Sequence, residues 1–293
     1  MTRLAIMADI HGNLPALEAV IDDMAQYAVD HVVVAGDSVN CGPFSREVLE
    51  VIHERNWALI RGNNEYYATE YKTPRMPAHW SRFTLPPLLL EQLGADWLRR
   101  IACLPDALSL RFPDAQPLAV FHGLPGNPWR SITPLSTVEE VKQFLDDLSE
   151  NTIICAHSHI PMERHIERWH ILNPGSVGIP LDGERSASYM IIDGDHAGWR
   201  LSAHRRVPFS NEANFAAFEV QRFAERGGIT AVLLMQEFQF ARMRLWPYLQ
   251  WKRRHHADQP DSVALLDEFE RLEDSRPYMP PEYRDLSAAL YRD

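Results

Sequence analysis

The stretch Met7-Ala8-Asp9-Ile10-His11-Gly12-Asn13 decides how the chain is read. It closes an apolar run, Leu4-Ala5-Ile6-Met7-Ala8, of the length and composition of a buried strand. Helical periodicity follows at once, with Leu14, Leu17, Val20, Ile21 and Met24 on one face. A carboxylate and an imidazole therefore stand at a strand's C-terminal end, before a glycine turn into a helix. That is where α/β sheets place their ligands. Alone, an Asp-x-His pair is a common loop feature, and its meaning depends on the later strand ends.

The pattern repeats outward from that stretch. His31-Val32-Val33-Val34-Ala35 ends in Gly36-Asp37-Ser38, and a helix near 44–55 carries Val48, Leu49 and Ile52. Trp57-Ala58-Leu59-Ile60 ends in Arg61-Gly62-Asn63-Asn64. Short β-rich runs alternating with helices imply a largely parallel sheet. Residues 65–105, with Pro74, Pro77, Pro86 and Pro87 and with Trp80 and Trp97, read as a helical insertion that covers something. Strands return at 107–112 and 117–121, the second ending in His122-Gly123. A helix near 137–148 leads to Asn151–Cys155 and then Ala156-His157-Ser158-His159. Further strands are expected over 162–172, 187–193 and 198–205.

Beyond about 210 the composition turns helical. Helices are expected near Phe215–Phe223, over 229–245 with Pro247 as a kink or end, and over 261–273. The expected division is 1–210 as the catalytic body and 211–293 as a C-terminal helical appendage. That appendage is open as a lid, a homodimer interface or simple packing. The basic run Lys252–His256 reads as a solvated helix end.

Composition narrows the function classes. Of 293 residues, 45% are hydrophobic and 24% charged, as in ordinary globular proteins. A net charge of −11 argues against stable binding of nucleic acid, but not against a small phosphorylated substrate held by metal ions. Cys41, Cys103 and Cys155 form no CxxC pair, which favours a reducing compartment. Asp9 and His11 interrupt the first apolar run before it reaches signal-peptide length. No apolar run approaches the roughly 18 residues of a membrane span. The expectation is a cytoplasmic protein.

Five runs thus end in metal-competent side chains: Asp9 with His11, Asp37, Asn63, His122, and His157 with His159. Singly each has an ordinary reading as a turn, cap or loop residue. Jointly they converge on one sheet edge, because all occupy the turn after a strand. Two carboxylates, four imidazoles and one amide are too many for one ion and suit two. Mixed nitrogen and oxygen ligation favours manganese, iron, zinc, nickel or cobalt over calcium or magnesium.

The ordered set Asp9-x-His11, Gly36-Asp37, Gly62-Asn63-Asn64-Glu65, His122-Gly123 and Ala156-His157-Ser158-His159 resembles the calcineurin-like metallophosphoesterase superfamily, in its compact bacterial and archaeal phosphodiesterase branch. The resemblance spans residues 1–207 and includes the late turn Asn173-Pro174-Gly175-Ser176-Val177-Gly178. It implies a four-layer α/β/β/α sandwich of two mixed β-sheets. It also implies one divalent transition metal on Asp9, His11, Asp37 and His159, and a second on Asp37, Asn63, His122 and His157, with Asp37 shared. The reaction implied is in-line attack of hydroxide on a phosphodiester or small nucleotide. A dinucleoside-polyphosphate hydrolase or a protein phosphatase of the same fold is the alternative. A metal-bound scaffold without turnover is the alternative of another class.

Two positions depart from the family pattern. Asn64 stands where many members carry a histidine; it can contact a phosphate oxygen but cannot donate a proton as an acid. Ala156 replaces a commoner glycine and is expected to hold the backbone near His157 at negative φ. An extended backbone there would place His157 and His159 on alternate sides. Arg61 and Arg130 are candidates for bidentate phosphate binding, and His79 and Trp80 for lining the cleft.

Overall fold

Valine-rich runs make strands here because branched side chains pack well on a pleated, buried surface. The computed structural model describes residues 1–284. The first half alternates β1 (Thr2–Met7), α1 (Leu14–Met24), β2 (His31–Val34), α2 (Ser45–Glu54), β3 (Ala58–Leu59) and α3 (Asn63–Glu70). A short 3₁₀ turn (Ala78–Arg82) and α4 (Leu85–Ala102) complete the insertion. There follow β4 (Ala107–Phe112), β5 (Ala115–Phe121), α5 (Val138–Leu145), β6 (Thr152–Ile154), β7 (Met162–Ile166), β8 (Trp169–Asn173), β9 (Ser186–Asp195) and β10 (Gly198–Pro208).

These strands form two five-stranded mixed sheets, ordered β10-β9-β1-β2-β3 and β4-β5-β6-β8-β7. Within them β1, β2 and β3 run parallel, as do β5, β6 and β8. Period-two alternation assigns the layers. Leu4, Ile6 and Ala8 face inward onto Leu118, Val120, Ile154 and Leu172 of the second sheet. Ala5, Met7, Val32 and Val34 face outward onto Leu17, Val20, Val48 and Ile52 of the first two helices. Ala119, Phe121, Ile153 and Ile171 face outward onto Val141 and Leu145 of α5. The result is the four-layer α/β/β/α sandwich.

The insertion packs Leu89, Leu93 and Ile101 onto Val39 and Leu49. Its other face, Leu85 and Leu88, meets Phe218, Phe223, Leu234 and Phe238 of the helices after residue 211. Those helices are α6 (Glu212–Val220), α7 (Phe223–Phe240), α8 (Leu245–His255), α9 (Val263–Glu270) and α10 (Pro281–Arg284). Polar ties join them to the body: Asn214 Nδ2 donates to Asn13 Oδ1 at 2.8 Å, Gln221 Nε2 to the Pro43 carbonyl at 2.9 Å, and Thr84 Oγ1 to the Gly227 carbonyl at 2.7 Å. The Lys252–His255 run forms the last turn of α8. Among the described residues no helix is long and apolar enough to cross a membrane.

The β content expected over 162–172 forms a hairpin, because Glu167 takes a left-handed turn conformation (φ 52°). Two sequence expectations are corrected. Pro247 sits in the first turn of α8, where a missing N–H costs nothing, and neither kinks nor ends a helix. The helix expected over 229–245 starts where expected, since Gly228 (φ 61°) separates it from a short helical stretch at 223–227, but it ends at Phe240, where Ala241 turns left-handed.

Candidate metal centre

The C-terminal ends of β1, β2, β5 and β6 meet at one edge of the sandwich, and the turns beyond them are closely tied. His11 N donates to the Asp37 carbonyl at 2.9 Å, Ala156 N to the His122 carbonyl at 2.6 Å, and Gly178 N to the Asp9 carbonyl at 3.0 Å. Two triads result, Asp9–His11–His159 and Asp37–His122–His157; within each, one ligand-type atom per residue lies within 4.8 Å of the others. His11 Nε2 is 3.1 Å from His159 Nε2, and Asp9 Oδ1 is 3.3 Å from His159 Nε2. Asp37 Oδ2 stands between the triads, 3.7 Å from His11 Nε2 and 3.4 Å from His122 Nε2. Asn63 Oδ1 lies 3.1 Å from His122 Nε2. The structure thus brings all seven residues expected as metal ligands to one cleft.

The backbone produces this crowding in an unusual way. Asp9, His11, Asp37, His157 and His159 all have positive φ, between 51° and 67°. Non-glycine residues rarely adopt that region, though Asp, Asn and His do so most readily. The expected extended backbone at His157 and its negative φ are therefore corrected. The left-handed residues are the histidines themselves, and Ala156 is not among them.

Side-chain chemistry in the cleft fits divalent cations. His122 Nδ1 lies 2.8 Å from the Ala35 carbonyl and His159 Nδ1 lies 2.6 Å from the Ile179 carbonyl. A carbonyl only accepts, so each Nδ1 carries the proton and each Nε2 turns its lone pair into the cleft. There His122 Nε2 faces another acceptor, Asn63 Oδ1. Among the described residues, neither oxygen of Asp9 nor Nδ1 of His11 has a well-directed hydrogen-bond partner, although both residues are buried. The Asp9 oxygens are buried acceptors, costly to leave this way unless a cation completes them.

The protein groups by themselves draw positive charge into the cleft. Burial disfavours imidazolium at His122, yet Asp37 and Asp9 outweigh it and push its pKa up to about 10. Burial takes His11 down to about 4, against the pull of Asp37. Burial and the charge of His122 take His157 down to about 4. Asp37 is held far below the carboxylate range despite burial, by His122 and His11. Burial and the Asp37 charge raise Glu65 to about 7.

Several residues position the site without having been assigned a role from sequence, although Gly62, Glu65 and Ser176 lie within the quoted motifs. Glu65 is fully buried and accepts from the backbone N–H groups of Gly62, Asp37 and Ser38 at 2.7, 3.0 and 2.8 Å. Its place three residues into α3, from which its carboxylate reaches back to the N-cap N–H of Gly62, is the sequence sign that could have shown it. Ser176 Oγ donates to the Asp9 carbonyl at 2.8 Å. Gly62 is obligatory because a Cβ there would come within 2.1 Å of Asp37 Oδ1. From the appendage, Tyr283 Oη donates to the Ser158 carbonyl, between the two histidines.

The remaining candidates are placed differently. Asn64 turns inward: its N and Nδ2 donate to Asp37 Oδ1 and Oδ2 at 2.8 and 2.5 Å, and its Oδ1 accepts from Asn40 at 2.7 Å. Arg61 pairs with Asp106 at 2.8 Å and lies over the Tyr66 ring. Arg130 is exposed and covers Phe144 at 5.1 Å. Trp80 is buried, with Tyr67 at 4.5 Å, and His79 stands beside it.

With this geometry the chain's relatives can be named. The calcineurin-like phosphoesterase superfamily domain matches residues 2–197, and the chain belongs to that superfamily. In sequence it is 27% identical to phosphodiesterase YfcE of Escherichia coli strain K12 over 209 residues, covering 67% of this chain and 89% of that protein. Among solved structures it resembles a metallophosphoesterase from Sphaerobacter thermophilus, with TM-score 0.62 and 25% identity over 80% of this chain and 99% of that one. It shares the fold of hypothetical protein PH1004 from Pyrococcus horikoshii OT3, with TM-score 0.69 and 18% identity over 83% of this chain and all of that one. The chain is accordingly a metal-dependent phosphoesterase, a hydrolase.

Proposed function

We propose that the chain is a binuclear metal-dependent phosphodiesterase acting on small phosphodiesters or nucleotides in the cytoplasm. The observation that carries this is the pair of facing triads at one sheet edge, with Asp37 between them and the Asp9 carboxylate left without a hydrogen-bond donor among the described residues. Asp9, His11 and His159 would hold one divalent ion, and Asn63, His122 and His157 the other, with Asp37 shared. Manganese, iron, zinc, nickel and cobalt all suit this donor set. Bound there, such ions polarise phosphate oxygens and lower the pKa of water toward neutrality.

The chain's own residues do the positioning. The Ala35 and Ile179 carbonyls fix the ring orientation of His122 and His159. Asn64 and Glu65 hold Asp37 by side chain and by backbone. Because Asn64 points at Asp37 and cannot act as an acid, substrates with stable leaving groups are favoured over alkyl monoesters. The relative named as a phosphodiesterase supports the same substrate class.

An aromatic shelf supports a base-bearing substrate. Tyr66 lies one turn into α3, beyond Asn63, and its ring is 5.2 Å from Trp129 in the loop after His122. Trp129 is 41% exposed and rests on buried Trp80 at 6.3 Å. Exposed rings of this kind stack on planar groups. The test is hydrolysis, with each metal in turn, of a nitrophenyl diester, a nitrophenyl monoester, cyclic nucleotides and dinucleoside polyphosphates. Diester hydrolysis exceeding monoester hydrolysis is expected. No hydrolysis with any metal would replace this reading with a metal-bound binding protein.

A further inference from the structure

A second cluster of ligand-type side chains lies outside the cleft, on the β7–β8 hairpin. Glu163 and His165 are two residues apart on β7 and so share a face. The strand register sets His165 directly opposite His170 on β8. One ligand-type atom from each of the three lies within 4.8 Å of the others. The two rings are stacked, with centroids 4.2 Å apart and planes 7° from parallel. His170 is buried, whereas Glu163 and His165 open to solvent. The intervening Arg164 points the other way, donating to the Thr133 and Ser136 carbonyls.

The orientation of His170 repeats that of His122. Its Nδ1 lies 3.1 Å from the Trp199 carbonyl and its Nε2 lies 2.8 Å from Glu163 Oε1, so both ring nitrogens face oxygens that accept. A neutral ring has one proton for the two contacts. An ion shared by all three draws both rings and the carboxylate to one centre.

We propose that Glu163, His165 and His170 form a further metal site, separate from the cleft, for a divalent ion of the zinc, cobalt or nickel class. Two imidazoles and one carboxylate suit those ions better than calcium or magnesium, and water completes the coordination. Trp199 belongs to β10 of the other sheet, so an ion here ties β7 and β8 to the open margin of the sandwich. The site is a staple, and hydrolysis does not depend on it.

The experiment uses the full chain, loaded with manganese and then titrated with zinc, beside the double variant Glu163→Gln, His165→Asn. Both substitutions fall on exposed positions. Metal analysis after desalting is expected to find one zinc equivalent fewer in the variant. Zinc is expected to raise the unfolding temperature more in the unaltered chain, and diester hydrolysis is expected to match in the two. Equal zinc content would overturn the proposal, whether or not either protein hydrolyses anything. If the double variant fails to fold, His165→Asn alone decides by the same count.

Discussion

At His11 the backbone is left-handed, the ring is buried, and Nδ1 has no hydrogen-bond partner among the described residues. The same conformation recurs at Asp9, Asp37, His157 and His159, so strain and candidate metal ligation coincide. Such conformations cost of the order of 1–3 kcal/mol each, and functional sites are where proteins retain them. Asparagine tolerates this region and valine does not. His11→Val should therefore be less stable than His11→Asn by about 1–2 kcal/mol in chelator-treated protein, read from urea unfolding. Equal midpoints would show that the φ angle carries no strain. Asp37 has another role, since its Oδ2 stands between both triads, 3.7 Å from His11 Nε2 and 3.4 Å from His122 Nε2. Asp37→Asn should lower kcat at least about 100-fold, the scale of losing a main electrostatic stabiliser, with an unchanged circular dichroism spectrum. Near-normal turnover with full metal content would remove Asp37 from the site. Glu65→Ala should destabilise by about 1–3 kcal/mol for each backbone N–H left unsatisfied, measured in the same urea experiment.

Elements were legible where one period dominates the sequence. The valine run of β2 and the leucine and isoleucine face of α1 read directly, and the strand ends carrying Asp9, Asp37 and His122 fell where the alternation placed them. Legibility failed where a turn has no proline or glycine: the hairpin between β7 and β8 turns at Glu167-Arg168 and looks like continuous strand. It failed also for buried polar residues such as Glu65, whose role depends on backbone groups from two turns that sequence does not show to be adjacent. One cross-element contact gives a pH prediction. Asp23 of α1 accepts from Arg205 of β10 at 2.8 and 3.0 Å and from Tyr189 of β9 at 2.7 Å. The Arg205 hydrogen bonds, ahead of opposing burial, hold its carboxyl below the ordinary range. A lowered native pKa means that the contribution is complete above the unfolded value near 3.9 and is lost as pH falls through the native value. Stability should therefore drop more steeply as pH falls below about 4 in the unaltered chain than in Asp23→Asn. Parallel curves would show that the contact contributes nothing net.

Taken whole, the molecule does not separate cleanly at the composition change near 210. Leu85, Leu88 and Ile179 of the body are buried against Phe218, Phe223 and Phe238 of the later helices, and Asn13, the N-cap residue of α1, accepts from Asn214. Deleting residues 211–293 should expose that face. Each large apolar side chain uncovered removes about 1.5–3 kcal/mol, so the truncated body should associate or precipitate, as light scattering would record. A soluble, monomeric, active body would instead mark the appendage as dispensable. The strand–helix alternation made parallel strands legible, the four-layer sandwich followed from the family resemblance, and the docking of the appendage depends on which aromatic faces which groove.

The closing of the cleft also has a timetable. His11 and His159 meet across 148 positions of chain, and synthesis proceeds at roughly 5–20 residues per second. On a ribosome the first carboxylate and imidazole would thus wait roughly 7–30 s for the last imidazole. During that interval the nascent protein offers stray cations only a partial set of donors, and metal selection falls to the finished sandwich.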